Sequence, residues 1–309
     1  MLNVILTIMT AGGIAVILLS ILGGGGAISR RLLTPIKELT NTMKKVEEKG
    51  MQERVQVYET KDELSALAIM FNTMMDKLEH SFRQQKQFVE DASHELCTPI
   101  AIIEGHLSLL VRCGKNDPKI LEESLAASLQ ETRRLKRLVQ DLIAVSQAEA
   151  TLAVLENEKI WPVPIIEQAI QNMVLIHTEV DFSTELAALE EIQIAITSNH
   201  LEQILLILLD NGIKYSTIDK RIDIIGSVNA QYACIVIKDY GMGIPDSDLP
   251  HIFDRFYRVN KARSRQQGGR GLGLAIAKGL IGKYRGIIEV QSEGHVGTTI
   301  LIQLPITVS

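Results

Sequence analysis

The chain has 309 residues, enough for two or three folded units by ordinary domain sizes. Hydrophobic residues make up 46% and charged residues 22%, so most of it should fold, while a net charge of −5 argues against a general nucleic-acid binder, which needs a basic stripe. The three cysteines, Cys97, Cys113 and Cys234, are widely spaced and fit neither a disulfide framework nor a metal site, which leaves reduced thiols.

Residues 1–29 carry no charged side chain and are expected to form a transmembrane helix, since roughly 20 apolar residues span a bilayer. A secretory signal would have a basic region before its apolar core. Here Arg30 and Arg31 follow it, which places the rest of the chain in the cytoplasm by the positive-inside rule. The run Gly23–Gly26 is compatible with close helix packing or with simple tolerance.

Pro35 suits a first helical turn. Leu32, Ile36, Leu39, Met43 and Val46 then follow at alternating steps of four and three, a narrow coiled-coil seam that Gly50 ends. Residues 51–60 read as a connector. A second helix starts near Asp62 and Glu63, with a seam of Leu64, Ala68, Phe71, Met75 and Leu78. That seam continues: Ala68, Met75, Phe82, Val89, Leu96, Ile103 and Leu110 lie seven apart, so one register runs into the stretch Phe88–Ile100.

Within that stretch the register puts His94 at an f position and Thr98 at c, both away from the seam. Pro99 lacks the donor for the Glu95 carbonyl and should bend the helix just past His94. After a break at Cys113–Pro118, Leu121, Ser128, Leu135 and Leu142 repeat every seven residues to about Glu149. Two such helices form a hairpin whose exposed seam would make a four-helix bundle on dimerisation.

A linker around residues 150–160 precedes a mixed region. Helices are expected at 163–178 and 199–214. Strands are expected at 192–196, 221–228, 232–238, 286–291 and 298–304. Helices set apart from a mostly antiparallel sheet indicate an α+β sandwich. Three segments there could carry chemistry. Asn211 and Lys214 share a helical face and offer an amide oxygen for a hard cation and a point charge for phosphate. Asp239-Tyr240-Gly241-Met242-Gly243 follows a strand, where a carboxylate can accept from an adenine amino group. Gly269-Arg270-Gly271-Leu272-Gly273 opens a helix whose N–H groups and dipole favour phosphate. The glycine spacing is not the dinucleotide fingerprint. The polar stretch after Phe253–Arg258 is a candidate lid over the nucleotide.

The first segments, Pro35, Glu63-Leu64, Phe71-Asn72 and Met74, resemble a HAMP domain, a parallel coiled-coil relay. With the histidine stretch, the Asn211 segment, the Asp239-x-Gly-x-Gly turn, Phe253–Arg258, the glycine loop and Gly294-x-x-Gly297-Thr298, the chain resembles the bacterial sensor histidine kinases over residues 30–309. The resemblance implies a transmembrane helix at 1–29, a HAMP relay at 30–81, a dimerisation and histidine phosphotransfer hairpin at 82–150 and an ATP-binding domain at 151–309. It implies a homodimer in the cytoplasmic membrane, single-pass, with lipid around residues 1–29 and no direct nucleic-acid contact. ATP and Mg²⁺ would be used to phosphorylate His94, and the phosphoryl group would pass to an aspartate of a cytoplasmic response regulator.

The same resemblance implies roles. Glu95 would orient the imidazole or take its proton, and Thr98 would orient a water for dephosphorylating the regulator. Asn211 would hold Mg²⁺, Lys214 and Arg258 would contact phosphates, and Tyr215 would line the site. Asp239 would bind adenine beside Gly241 and Gly243, while Gly269, Gly271 and Gly273 would close over the phosphates. Three residues depart from the family pattern: Cys97 replaces a basic residue, Ile207 an asparagine, and Gly212 an alanine. Ile207 and Cys97 keep open a weak kinase acting mainly as phosphatase or scaffold. An ATP-driven clamp sharing the same ATP-site architecture fits poorly with a histidine hairpin. A lone membrane helix leaves two options: sensing within the membrane or through a partner, or a missing N-terminal part.

Overall fold

The computed structural model describes residues 9–14, 33–58, 62–113, 117–149, 158–216, 219–259 and 269–307. The expected membrane helix therefore lies outside the described residues except for 9–14, which are helical. Residues 114–116 of the expected break, 150–157 of the expected linker and 260–268 of the expected lid also lie outside them. The chain divides into two compact units, Met1–Glu90 and Asp91–Ser309.

In the first unit, helix α1 (Thr34–Lys49) opens on Pro35 and ends on Gly50, whose φ of 102° is open to glycine. Helix α2 (Glu63–Cys113) begins where Asp62 Oδ1 accepts from Ser65 N at 2.9 Å, an N-terminal cap. The connector is pinned between them. Val55 is buried with Ala68, Phe71 and Met75, with Leu39, Val46 and Met51 packed around them. Asn72 completes the connector's backbone bonding: Val55 N donates to its Oδ1 at 2.9 Å and its Nδ2 donates to Val55 O at 2.8 Å.

Helix α2 is helical throughout its 51 residues, with Pro99 inside it. Among the described residues it is the helix long and apolar enough to cross a membrane by length and composition. Seam residues Leu78, Phe82 and Val89 are exposed, and so are Ile100, Leu107 and Val111 beside the seam. Helix α3 (Pro118–Glu149) starts where Asp117 Oδ1 accepts from Lys119 N at 2.9 Å.

The remainder of the second unit is a two-layer sandwich. The elements are β1 (Lys159–Ile160), α4 (Pro162–Ile176), β2 (Asp181–Glu185), β3 (Ile194–Ala195) and α5 (Ser198–Tyr215). They continue with β4 (Asp219–Val228), β5 (Tyr232–Tyr240), α6 (Gly273–Lys283), β6 (Ile287–Glu293) and β7 (Gly297–Pro305). The main sheet has the order β2-β4-β5-β7-β6, antiparallel except for the parallel β2–β4 pair. The expected strand at 192–196 shortens to β3, paired with β1, because Thr197 already caps α5 by accepting from His200 N.

Alternation along β5 and β7 puts Ala233, Ile235, Ile237, Ile300, Ile302 and Leu304 against the helices. They meet Leu201, Ile204, Leu205 and Leu208 of α5, all essentially inaccessible. The tail of α3 also packs on α6: a Cβ at Gly279 would sit 2.8 Å from Ala148 Cβ, so only glycine allows this approach.

Candidate functional site

The end of α5, the turn after β5, the segment before α6 and the glycine loop enclose a cavity of about 330 Å³. That is within the range of small-ligand sites. Ile207, Asn211, Lys214 and Tyr215 line it from α5. These positions fall on one face because a helix repeats every three to four residues. Asp239, Met242, Gly243 and Ile244 line it from the β5 turn, Tyr257 and Arg258 from the segment before the lid, and Gly269, Gly271 and Gly273 from the loop. Lys214 Nζ meets Asp210 Oδ2 one turn earlier, at 2.5 Å.

Asp239 is only 8% exposed. Its Oδ1 accepts from Gly241 N at 2.9 Å and from Thr298 N at 3.2 Å. Burial pushes this carboxyl above the usual carboxylate range, and the two backbone donors pull against that shift. Gly241 does not line the cavity: a Cβ there would lie 2.3 Å from the Tyr215 carbonyl oxygen, so it lets the turn pass under α5. Gly271, at φ +73°, bends the loop against Tyr257, and its carbonyl accepts from Phe256 N at 2.9 Å. The loop and the Phe253–Arg258 segment are thus hydrogen-bonded to each other.

His94, Glu95 and Thr98 stand on α2 outside the cavity lining. His94 and Thr98 are exposed, as is Cys97. The Thr98 hydroxyl donates to the His94 carbonyl at 3.1 Å. Glu95 reaches the cavity wall indirectly, since Arg258 Nη2 donates to its Oε1 at 3.1 Å. The Arg258 side chain is 8% exposed, and its Nε has no hydrogen-bond partner among the described residues. Among the lining residues without a role in the sequence reading, Asp141 and Arg270 stand out. Asp141 of α3 accepts from Arg270 Nη1 at 2.9 Å, and Arg270 Nη2 donates to the Arg134 carbonyl. An arginine within a glycine run was the one visible sign of this contact.

Three family models match the chain in order. The HAMP domain matches residues 27–80, the His Kinase A (phospho-acceptor) domain 84–151, and the histidine kinase-, DNA gyrase B-, and HSP90-like ATPase 196–308. The signal transduction histidine-protein kinase ArlS of Staphylococcus epidermidis is 42% identical over 278 residues, covering 90% of this chain and 61% of that protein.

The chain belongs to the HAMP-containing sensor histidine kinases.

ArlS of Staphylococcus aureus is 40% identical over 274 residues, covering 89% of this chain and 60% of that protein. The chain spans about three-fifths of the length of these curated relatives. Among solved structures, the Acinetobacter baumannii histidine kinase AdeS aligns with TM-score 0.54 and 25% identity, covering 70% of this chain and 98% of that one. The histidine kinase ThkA, in complex with response regulator protein TrrA, aligns with TM-score 0.58 and 20% identity, covering 75% of this chain and 66% of that one, a likeness of fold.

Proposed function

We propose that this chain is a membrane-bound, homodimeric protein-histidine kinase. It uses ATP and Mg²⁺ to phosphorylate His94 and passes the phosphoryl group to a response-regulator aspartate. The observation that carries the reading is the join between the two sites: Arg258 lines the cavity and also holds Glu95, the residue next to His94. Domain order supports it, since a phospho-acceptor match precedes a nucleotide-binding one.

Asp239 would take the adenine amino group, and Lys214, Arg258 and the Gly269–Gly273 loop the phosphates, with Tyr215 and Gly243 shaping the walls. Asn211 offers one neutral oxygen, which suits a cation held largely through substrate phosphates. When bound, Mg²⁺ would neutralise charge on those phosphates. A ring nitrogen of His94 attacks the γ-phosphorus, the bond to the β-phosphate oxygen breaks, ADP leaves, and Glu95 takes the ring proton. Thr98 would orient a water for the reverse duty of regulator dephosphorylation.

Dimerisation is supported by the exposed apolar seam of α2 and α3, where Val89 is 56% and Leu125 51% exposed. Residues 1–29 would anchor the chain in lipid as a single span with the kinase domains in the cytoplasm. HAMP motion would reach His94 because α2 runs unbroken from Glu63 past it. A second reading, a weak kinase serving chiefly as phosphatase or scaffold, is favoured by Ile207: a Cβ at Gly273 would lie 3.1 Å from its Cγ2, so an apolar group crowds the loop that should meet phosphate.

Parallel incubations of the full chain in detergent micelles with γ-labelled and α-labelled ATP test the reading. Covalent label should come from the γ-phosphate alone. Equal retention of both labels would mean nucleotide binding without transfer.

A further inference from the structure

The two arginines of the cavity both direct their donors out of it, onto the helical hairpin. Arg258 Nη2 is bonded to Glu95 of α2, and Arg270 to Asp141 and the Arg134 carbonyl of α3. Both arginine side chains are nearly buried, at 8% and 10% exposed, while Glu95 and Asp141 keep 24% and 40%, so the Arg258 bond is the better sheltered of the two. The segments that carry them are joined by the Phe256 N to Gly271 O bond. Phe256 and Gly271 both have positive φ, at 61° and 73°, so this junction has a defined shape. Displacing one arginine therefore disturbs the seat of the other.

We propose that Arg258 and Arg270 form a paired latch that holds the ATPase domain on α2 and α3, and that a polyphosphate in the cavity opens it by competing for the two guanidiniums. The inference rests on the reading of the cavity as an ATP site. In the latched state Glu95 Oε1 is committed to Arg258, and Asp141 takes the place that an anion would have on Arg270. A planar guanidinium meets carboxylate and phosphate oxygens with the same fork of donors, so one anion can replace the other. Glu95 becomes available to the His94 imidazole only after the exchange. The latch thereby ties release of the base to occupancy of the nucleotide site, and a chain without nucleotide keeps both domains docked.

The binding-competent population in such an equilibrium is smaller than the whole, and apparent affinity falls by that fraction. Asp141→Asn removes one carboxylate and leaves both arginines in the cavity. In the full chain in micelles, it should bind the non-hydrolysable analogue AMPPNP with Mg²⁺ about five-fold more tightly than the unaltered chain. Arg270→Lys keeps a cation but loses the second arm on the Arg134 carbonyl, and should raise hydrogen exchange at residues 134–148 before any nucleotide is added. It decides the matter if Asp141→Asn does not fold. Hydrogen exchange at residues 134–148 should rise when AMPPNP is added to the unaltered chain and be high beforehand in Asp141→Asn. Equal affinities together with exchange indifferent to nucleotide overturn the latch while leaving the ATP site standing. Absence of binding by all three proteins overturns both.

Discussion

Arg258 and Glu95 lie 163 positions apart in the chain and meet at 3.1 Å. One lines the cavity and the other neighbours His94, the proposed phosphoacceptor. Glu95→Gln keeps the shape and an accepting oxygen but loses the charge. General bases contribute about 10²–10⁴-fold, so initial rates of His94 phosphorylation should fall by roughly that range. Nucleotide affinity should stay the same or tighten, because the Arg258 contact weakens. A variant that keeps its rate and loses nucleotide would assign Glu95 to binding instead.

Asp239 sets stability against function. The folded chain holds its proton more tightly than an unfolded chain, because burial penalises the carboxylate. Its contribution to stability is therefore fullest in acid, below the unfolded pKa. It declines as pH rises through the ordinary carboxylate range and beyond toward the raised folded value, and is unfavourable at neutral pH. Asp239→Asn still accepts from Gly241 and Thr298. It should keep or raise the melting temperature at pH 7, flatten the pH dependence of that temperature, and lose nucleotide binding. A clear drop in melting temperature with binding intact would contradict both halves.

Gly271 is held by geometry. At φ +73°, a Cβ there would lie 2.4 Å from the Tyr257 carbonyl oxygen. The left-handed conformation alone costs about 1–2 kcal/mol for a residue with a side chain. Gly271→Ala should therefore loosen the loop and the bond to Phe256, and weaken ATP binding by at least about ten-fold, given that 1.4 kcal/mol is a factor of ten. Titration with a fluorescent ATP analogue checks this. Unchanged affinity would show that the loop does not contact phosphate.

Much of the architecture was legible because it is periodic. The seven-residue seam from Leu64 to Leu110 located α2, and period-2 alternation located β4, β5 and β7. The parallel edge strand β2 was missed: Asp-Phe-Ser-Thr-Glu has one apolar residue and stays largely exposed, so it carries no inward face to read. Strand β1 has two residues, too few for any period. At the site, local motifs pointed to the lining residues on α5, β5 and the glycine loop. Asp141 escaped because its partner Arg270 is 129 positions away, and no local pattern encodes that meeting. Gly241 was expected as a wall of the site and instead packs under the Tyr215 carbonyl, a distinction of backbone geometry that a glycine in a turn does not reveal.

Ile207 faces the cavity beside Asn211 and the Gly273 end of the loop. It brings an apolar group to a wall that should meet phosphate and metal. Ile207→Asn adds an oxygen donor there, and should raise the phosphorylation rate several-fold and lower the Mg²⁺ concentration giving half-maximal rate. Measured rates across a Mg²⁺ series decide it. If the curve does not move, Ile207 is no obstacle, and the reading of this chain as a weak kinase loses its main support.

His94 is proposed to receive the γ-phosphate of ATP. The most direct measurement is the chemistry and location of the label on the full chain after incubation with γ-labelled ATP and Mg²⁺. The label should be acid-labile and alkali-stable, map to the peptide containing His94, and vanish in His94→Gln while nucleotide binding persists. Label that survives in His94→Gln, or an unaltered chain that binds ATP and Mg²⁺ yet acquires no label, would contradict the account.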